Sequence, residues 1–235
     1  MQVPASVVRR VGFLAELRED DLEALLASCR TVSYPKHSIV FHEGDSADAL
    51  YIILRGAVKV ILQGTRGQEI TLNELADGEV LGEMALFDEA PRSATAVALQ
   101  PTELLQIRRE PFAALLEKRP AVAQELLRHA VTLLREANET IRSLSMFDVH
   151  GRIVRCLMKL ARQRHGEAAT QVRIQASSVE IEPRPSNQRL ADMIGSSRET
   201  VSRAMKLLDQ TGFIQIAGRR LVIKRPALRR YWPEG

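Results

Sequence analysis

Cysteine is nearly absent: Cys29 and Cys156 are the only two in 235 residues. They lie far apart and outside any C-x-x-C spacing, so one chain can assemble neither a disulfide framework nor a four-thiolate zinc or iron–sulfur site. The expectation for each is a buried apolar filler, with thiol redox sensing as the weaker alternative. His37, His42, His129, His150 and His165 are scattered, with no H-x-x-x-H pair, which argues against a metal site. No apolar run approaches the roughly 20 residues of a membrane-spanning helix, so no membrane partner is expected. The opening MQVPASVVRR lacks the charge, apolar stretch and cleavage site of a secretory signal, and a cytoplasmic location is expected. No Ser/His/Asp or metal constellation supports an enzyme, so no catalytic residue is assigned. Internal repeats and Gly/Ser-rich linkers are also missing.

What remains is a globular composition, 45% hydrophobic and 26% charged, at a length that suits two domains. The net charge of +4 is unevenly spread. Through Asp148 there are 16 Lys and Arg against 22 Asp and Glu, a net of −6; beyond it there are 17 against 7, a net of +10. A basic smaller part joined to an acidic larger one suits a nucleic-acid reader attached to a sensing part, although a solvated basic surface would look the same.

The hydrophobic period changes along the chain. Leu17, Leu22, Leu25 and Leu26 have helical spacing, which predicts a short amphipathic helix near Asp20 to Ser28. From Thr31 to about Ile107, short β-rich runs are punctuated by Gly44, Gly56, Gly64, Gly67 and Gly78, at the spacing of an antiparallel barrel or sandwich. Beyond Pro111 the pattern is helical, restarted at Pro120. Leu126, Ala130, Leu133, Ala137, Thr140 and Leu144 follow the seam of a two-stranded coil, with Leu127, Leu134 and Ile141 on an adjacent face. One face is expected to pair in a homodimer, the other to cover the β domain. Asp148 is a good N-cap for the next helix, so the boundary there reads as a helix-to-helix hinge.

Near the C-terminus, Ser186 can cap a helix whose Leu190, Ala191 and Ile194 face inward, and Gly195 makes a tight turn into a second helix with Val201, Ala204, Met205 and Leu208 as its buried stripe. This leaves Arg198, Glu199, Ser202 and Arg203 exposed on the first turns, where a recognition helix meets base edges. Arg can donate twice to guanine, and Glu can accept from cytosine. Glu199 has a second reading, since with Ser196 as N-cap it completes an S-x-x-E capping box. A basic hairpin follows, IAGRRLVIK, with Gly218 at its turn and Arg219, Arg220 and Lys224 as phosphate contacts.

The segment GEMALFDEAPRSAT, from Gly82 to Thr95, sets one arginine among apolar residues. Residues after Gly82 can begin a helical turn whose free N–H groups favour an anion. Arg92 adds a planar fork for phosphate, and Ser93 adds a hydroxyl. Glu83 makes sense if the ligand also carries a hydroxyl donor, and a cyclic nucleotide supplies both. The competing reading is a Glu83–Arg92 surface ion pair, worth little.

Over nearly its whole length the chain resembles the cyclic-AMP receptor protein/fumarate-nitrate regulator superfamily of bacterial transcription regulators. SRETVSR, Ser197 to Arg203, looks like that family's recognition helix, and GEMALFDEAPRSA is similar to its phosphate-binding cassette. The resemblance implies an α+β chain: a cyclic-nucleotide-binding, jelly-roll-like β-roll over 1–119, a long dimerisation helix and hinge over 120–148, and a winged helix-turn-helix over 149–235. It implies effector contacts from Gly82, Glu83, Met84, Arg92 and Ser93, and base-reading positions at Ala137 and Asn138, where the cyclic-AMP receptor has Thr-Ser. It implies DNA contacts from Ser197, Arg198, Glu199, Ser202, Arg203, Arg219 and Arg220 on a palindromic, TGTGA-like operator read by a homodimer. Cyclic AMP is the expected effector, with cyclic GMP and cyclic di-GMP as alternatives because Ala137 offers no polar group; a vestigial pocket is the rival reading. RNA polymerase is the further expected partner. The loop from Arg162 to Ser178, including Arg164, is a candidate for that contact and equally an ordinary surface loop.

Overall fold

A computed structural model describes residues 5–64, 69–86, 90–162, 171–175 and 178–232. The chain divides into two compact units, one of Met1–Gln63 and Leu72–Glu136, the other of Gly64–Thr71 and Ala137–Gly235.

The first unit opens with α1 (Ala5–Val8), a single 3-10 turn (Gly12–Leu14) and α2 (Glu19–Ala27), which lies where leucine spacing predicts it. Eight strands follow: β1 (Arg30–Tyr34), β2 (Ile39–Phe41), β3 (Ala49–Arg55), β4 (Ala57–Gln63), β5 (Glu69–Ala76), β6 (Val80–Leu81), β7 (Thr95–Ala98) and β8 (Thr102–Arg108). They form two four-stranded sheets, ordered β1-β8-β3-β6 and β2-β7-β4-β5. First pairing with eighth and second with seventh is the double Greek key of a jelly roll. β3 explains why its sequence shows no alternation. Its Leu50 and Ile52 join one apolar cluster with Phe13, Leu22, Leu105 and Phe112, while Tyr51 and Ile53 join another with Val58, Leu81, Ala96 and Leu104. A strand buried on both faces has no polar side to alternate with.

α2 is fastened to α3 (Arg109–Lys118) by a buried carboxylate. Asp21 accepts from Lys118 Nζ at 2.7 Å and Arg119 Nε at 2.6 Å. The Lys118 hydrogen bond, then Arg119, holds the carboxyl below its ordinary pKa against the opposing effect of burial. A depressed folded-state pKa adds stability that is complete above the unfolded value of about 4 and is lost as pH falls through the folded one. Urea midpoints of the wild type and Asp21→Asn should therefore differ at pH 7, with the gap narrowing as pH falls below about 4. A constant gap would show that Asp21 acts by packing alone.

α4 (Pro120–Met146) begins at the expected proline and passes from one unit into the other after Glu136. Its two apolar faces differ in burial. Leu126 is fully buried in the first unit's core with Val122, whereas Leu127, Leu134 and Ile141 are 62%, 62% and 61% exposed. The open stripe therefore runs through Leu127, Leu134 and Ile141, with Ala137 and Leu144 shared by both readings. Two stripes one residue apart are told apart by burial at Leu126 and Leu127, and that is a tertiary fact.

In the second unit, Asp148 Oδ1 accepts from the Gly151 N–H at 2.8 Å and caps α5 (Val149–Arg162), a bond that also lowers the Asp148 pKa. Then come β9 (Gln171–Gln175), β10 (Ser178–Glu182), α6 (Asn187–Ile194), α7 (Arg198–Gln210), β11 (Ile214–Ala217), β12 (Arg220–Lys224) and α8 (Arg225–Tyr231). The strands form one sheet ordered β11-β12-β10-β9, and its Ile181, Leu221 and Ile223 share a core with Leu157, Leu190, Val201 and Leu208. Arg164 and residues 163–170 of the expected polymerase-facing loop lie outside the described residues.

Candidate functional site

The β-domain site is organised by where Arg92 goes. Its backbone is held by the β2–β3 loop, donating to Asp45 O and accepting from the Gly44 N–H, each at 2.8 Å. Its side chain turns inward and is 6% exposed. Nη2 donates to Ala49 O at 2.7 Å and Nη1 to Gly82 O at 3.2 Å, with the guanidinium carbon 4.3 Å from the Phe41 ring centroid and 5.7 Å from that of Tyr51. Burial lowers the guanidinium pKa, against the electrostatic support of Tyr51, Asp48 and Glu83. Gly82 is required by this arrangement twice over. Its φ is +75°, and a Cβ there would run into Arg92 Nη1.

Arg92 keeps further donors: a second N–H on each terminal nitrogen, and Nε–H. Nε is buried and has no hydrogen-bond partner among the described residues, and an unsatisfied buried donor costs about 1–3 kcal/mol, more when charged. Glu83 starts the 3-10 turn Glu83–Leu86 that follows Gly82, and burial raises its carboxyl pKa, with a backbone hydrogen bond and then His129 and Arg92 drawing it back. No ion pair joins Glu83 to Arg92 among the described residues, so the reading of these two as a surface pair is set aside. Ser93 and Met84 are exposed, with the Ser93 hydroxyl 3.5 Å from the Met84 sulfur. The set can offer donors to an anionic oxygen from Arg92 and Ser93, and a carboxylate acceptor from Glu83. Sequence reasoning missed Ala49, Phe41 and Tyr51, which position the arginine from distant strands. Ala137 and Asn138 are exposed on the part of α4 that belongs to the other unit.

The helix pair is set by its caps. Ser186 accepts from the Arg189 N–H at the start of α6, and Gly195, at φ +61°, closes its end with its own N–H and that of Ser196 on Ala191 O. The next cap is Ser197, which accepts from the Thr200 N–H at 3.2 Å. The expected Ser196–Glu199 capping box is therefore not formed. With the cap one residue later, Thr200 occupies the third helical position and the Glu199 carboxylate is left exposed. Ser197 has its hydroxyl engaged by the cap and by Thr200 Oγ1 at 2.9 Å. Arg198, Glu199, Ser202 and Arg203 are all exposed on one side of α7, opposite buried Val201, Ala204, Met205 and Leu208. Lys206 extends that exposed face by a turn.

β11 and β12 form the expected hairpin, with Gly218 at φ +60° and Arg219 exposed at the turn. Arg220 is committed elsewhere, its Nη2 donating to Glu180 on β10 at 2.6 Å. Burial pushes the Cys29 thiol up to about 11, and Cys156 is buried. A thiol with so high a pKa is a poor redox sensor. Among the described residues no group of three or more His, Cys, Asp and Glu could hold a metal ion, and no helix is long and apolar enough to cross a membrane.

Residues 31–119 match the cyclic nucleotide-binding domain family, and residues 151–231 match the Crp-like helix-turn-helix domain family. The chain is 34% identical over 212 residues to a cyclic AMP receptor protein of Thermus thermophilus, covering 90% of this chain and 92% of that one. It is 32% identical over 203 residues to the cAMP-activated global transcriptional regulator CRP of Salmonella typhimurium, covering 86% and 93%. Among solved structures it is similar to the c-di-GMP-responsive global regulator CLP of Xanthomonas campestris, with a TM-score of 0.72, 27% identity and coverage of 88% and 99%.

Proposed function

The chain belongs to the cyclic AMP receptor protein/fumarate-nitrate regulator family of transcription regulators, with a cyclic nucleotide-binding domain and a Crp-like helix-turn-helix domain, and from that premise we propose that it is a homodimer whose reading of palindromic DNA is gated by a cyclic nucleotide. The observation that carries the gating is the buried Arg92 Nε–H, which has no acceptor among the described residues. An exocyclic phosphate oxygen supplies that acceptor, the exposed Ser93 hydroxyl donates to a second, and Glu83 accepts from the ribose 2′-OH. Cyclic AMP is the first choice because the named relatives respond to it; the likeness to a c-di-GMP-responsive regulator keeps that dinucleotide, and cyclic GMP, as alternatives. Asn138 carries both a donor and an acceptor for the base.

On DNA, Arg198, Glu199, Ser202 and Arg203 read one TGTGA-like half-site per subunit, and Arg219 meets phosphate from the wing. The functional division runs 1–119, 120–148 and 149–235, with RNA polymerase as the further partner. The chain regulates and does not turn its nucleotide over. Effector and operator are coupled by about 1–3 kcal/mol, and reciprocally.

A vestigial pocket is favoured by one fact: both terminal nitrogens of Arg92 already donate inside the protein, to the Ala49 and Gly82 carbonyls. Titration of a fluorescent palindromic TGTGA duplex at fixed salt separates the readings, alone and with cyclic AMP, cyclic GMP or cyclic di-GMP. Gating predicts that one nucleotide shifts operator affinity by about tenfold. Binding that ignores all three would leave only the DNA-reading half.

A further inference from the structure

The junction between α4 and α5 carries a side-chain assembly that neither the recognition helix nor the nucleotide cassette uses. Arg155, two turns into α5, is its centre, with a side chain only 15% exposed. Its Nη2 reaches back to Glu139 on α4 at 2.7 Å, and its Nη1 donates to the Tyr231 carbonyl of α8 at 3.3 Å. The guanidinium lies between two rings, 4.7 Å from the centroid of Phe147 at the junction and 4.9 Å from that of Trp232 just past α8. A planar cation between aromatic faces, with an ion pair on its edge, is a geometry that lysine cannot reproduce.

The surrounding packing is built for closeness. Gly151 leaves room that a side chain would fill, since a Cβ there would come within 2.9 Å of Phe147 and 3.0 Å of Tyr231. Tyr231 is buried and packs against Phe213, 6.0 Å between ring centroids. Phe213 follows the recognition helix and is tied to it, its N–H donating to Leu208 O at 2.9 Å. A continuous set of contacts therefore runs from Glu139 through Arg155 and the end of α8 to the base of α7.

We propose that α8 and Trp232 form a latch on the α4–α5 junction, closed by Arg155, and that this latch transmits the effector's influence from α4 to the recognition helix. Two helices meeting at the non-helical Phe147–Asp148 step would otherwise pivot, and movement of α4 would dissipate there. The latch makes the last turns of α4 one rigid piece with α5 and α8, so the helices that read DNA follow α4. The transmission rests on the gated reading above; the latch itself does not.

Trp232 is the only tryptophan in the chain, so its fluorescence reports on the latch directly. Acrylamide quenching of full-length wild type, Arg155→Ala, Arg155→Lys and Glu139→Gln is measured beside operator affinity with and without cyclic AMP, cyclic GMP or cyclic di-GMP. Opening the latch should at least double the quenching constant in Arg155→Ala, with smaller rises in the other two. In Arg155→Ala the effector's roughly tenfold shift of operator affinity should shrink to about twofold or less, while nucleotide affinity without DNA stays the same. Unchanged quenching overturns the latch, and raised quenching with an undiminished effector shift overturns transmission. Glu139→Gln, at a half-exposed surface position, keeps both arms decisive should Arg155→Ala fold poorly. A wild type that answers to none of the nucleotides overturns the gated reading and transmission with it, and the quenching arm still decides whether the latch exists.

Discussion

Replacing Arg92 by lysine is expected to weaken cyclic-nucleotide binding about a hundredfold, equivalent to losing one or two charge-assisted hydrogen bonds at about 1.5–3 kcal/mol each. The guanidinium holds Ala49 O and Gly82 O inside the protein, and in the gated reading its Nε–H, unpartnered among the described residues, goes to the ligand. An ammonium has three donors but no plane, so it cannot lie over Phe41 while spanning two carbonyls and still present a fork to phosphate. Arg92→Lys should therefore also lose stability, because carbonyls of the inner strands lose their donors. Gly82→Ala tests the same point from the other side. It puts an L-residue at φ +75°, at a cost of about 1–2 kcal/mol, and its methyl displaces Nη1. Titration with a fluorescent cyclic nucleotide and urea unfolding, run on both variants, separate the outcomes. Lowered stability with undiminished nucleotide affinity would make Arg92 a structural residue and the pocket vestigial.

The double substitution Leu134→Glu with Ile141→Glu is expected to yield a folded monomer whose affinity for the palindromic operator falls at least about a thousandfold, as one subunit reads one half-site. Both side chains are more than 60% exposed on α4, so neither carries packing within the chain. Each apolar side chain that becomes covered contributes about 1.5–3 kcal/mol, and four carboxylates facing one another across a seam would oppose closure. Sedimentation should show half the wild-type mass, with unchanged unfolding of the β domain. Leu126→Glu, one residue from the open stripe, should instead unfold the first unit, since Leu126 is fully buried. A dimer that persists in the double variant would place the subunit contact elsewhere.

The difference between Leu126 and Leu127 also marks the limit of periodicity. Both stripes repeat every three and four residues, and both are apolar, so spacing predicts a two-faced helix without saying which face the β domain takes. The capping serines near α7 have a similar lesson. Ser196 and Ser197 are adjacent and chemically alike; the choice fell on Ser197 because Gly195 and Ser196 are spent on closing α6, their N–H groups both on Ala191 O. That choice released Glu199 from the cap and left it on the exposed face.

Sequence alone determined what depends on neighbours within a few residues: the Ser186 and Asp148 caps, the Gly195 turn, the Gly218 hairpin, and the glycine-punctuated strands of the β domain. These follow from backbone conformation and from hydrogen bonds closed over three or four positions, which the local residue order specifies. Only the tertiary structure decided that Arg92 turns inward to carbonyls of Gly82 and Ala49, the latter 43 residues away, that Arg220 is held by Glu180 on another strand, and that Arg155 is enclosed by Glu139, Phe147 and Trp232. In each case a long flexible cation had several partners within reach of its charge. The packing of distant segments, through burial and desolvation, selected one.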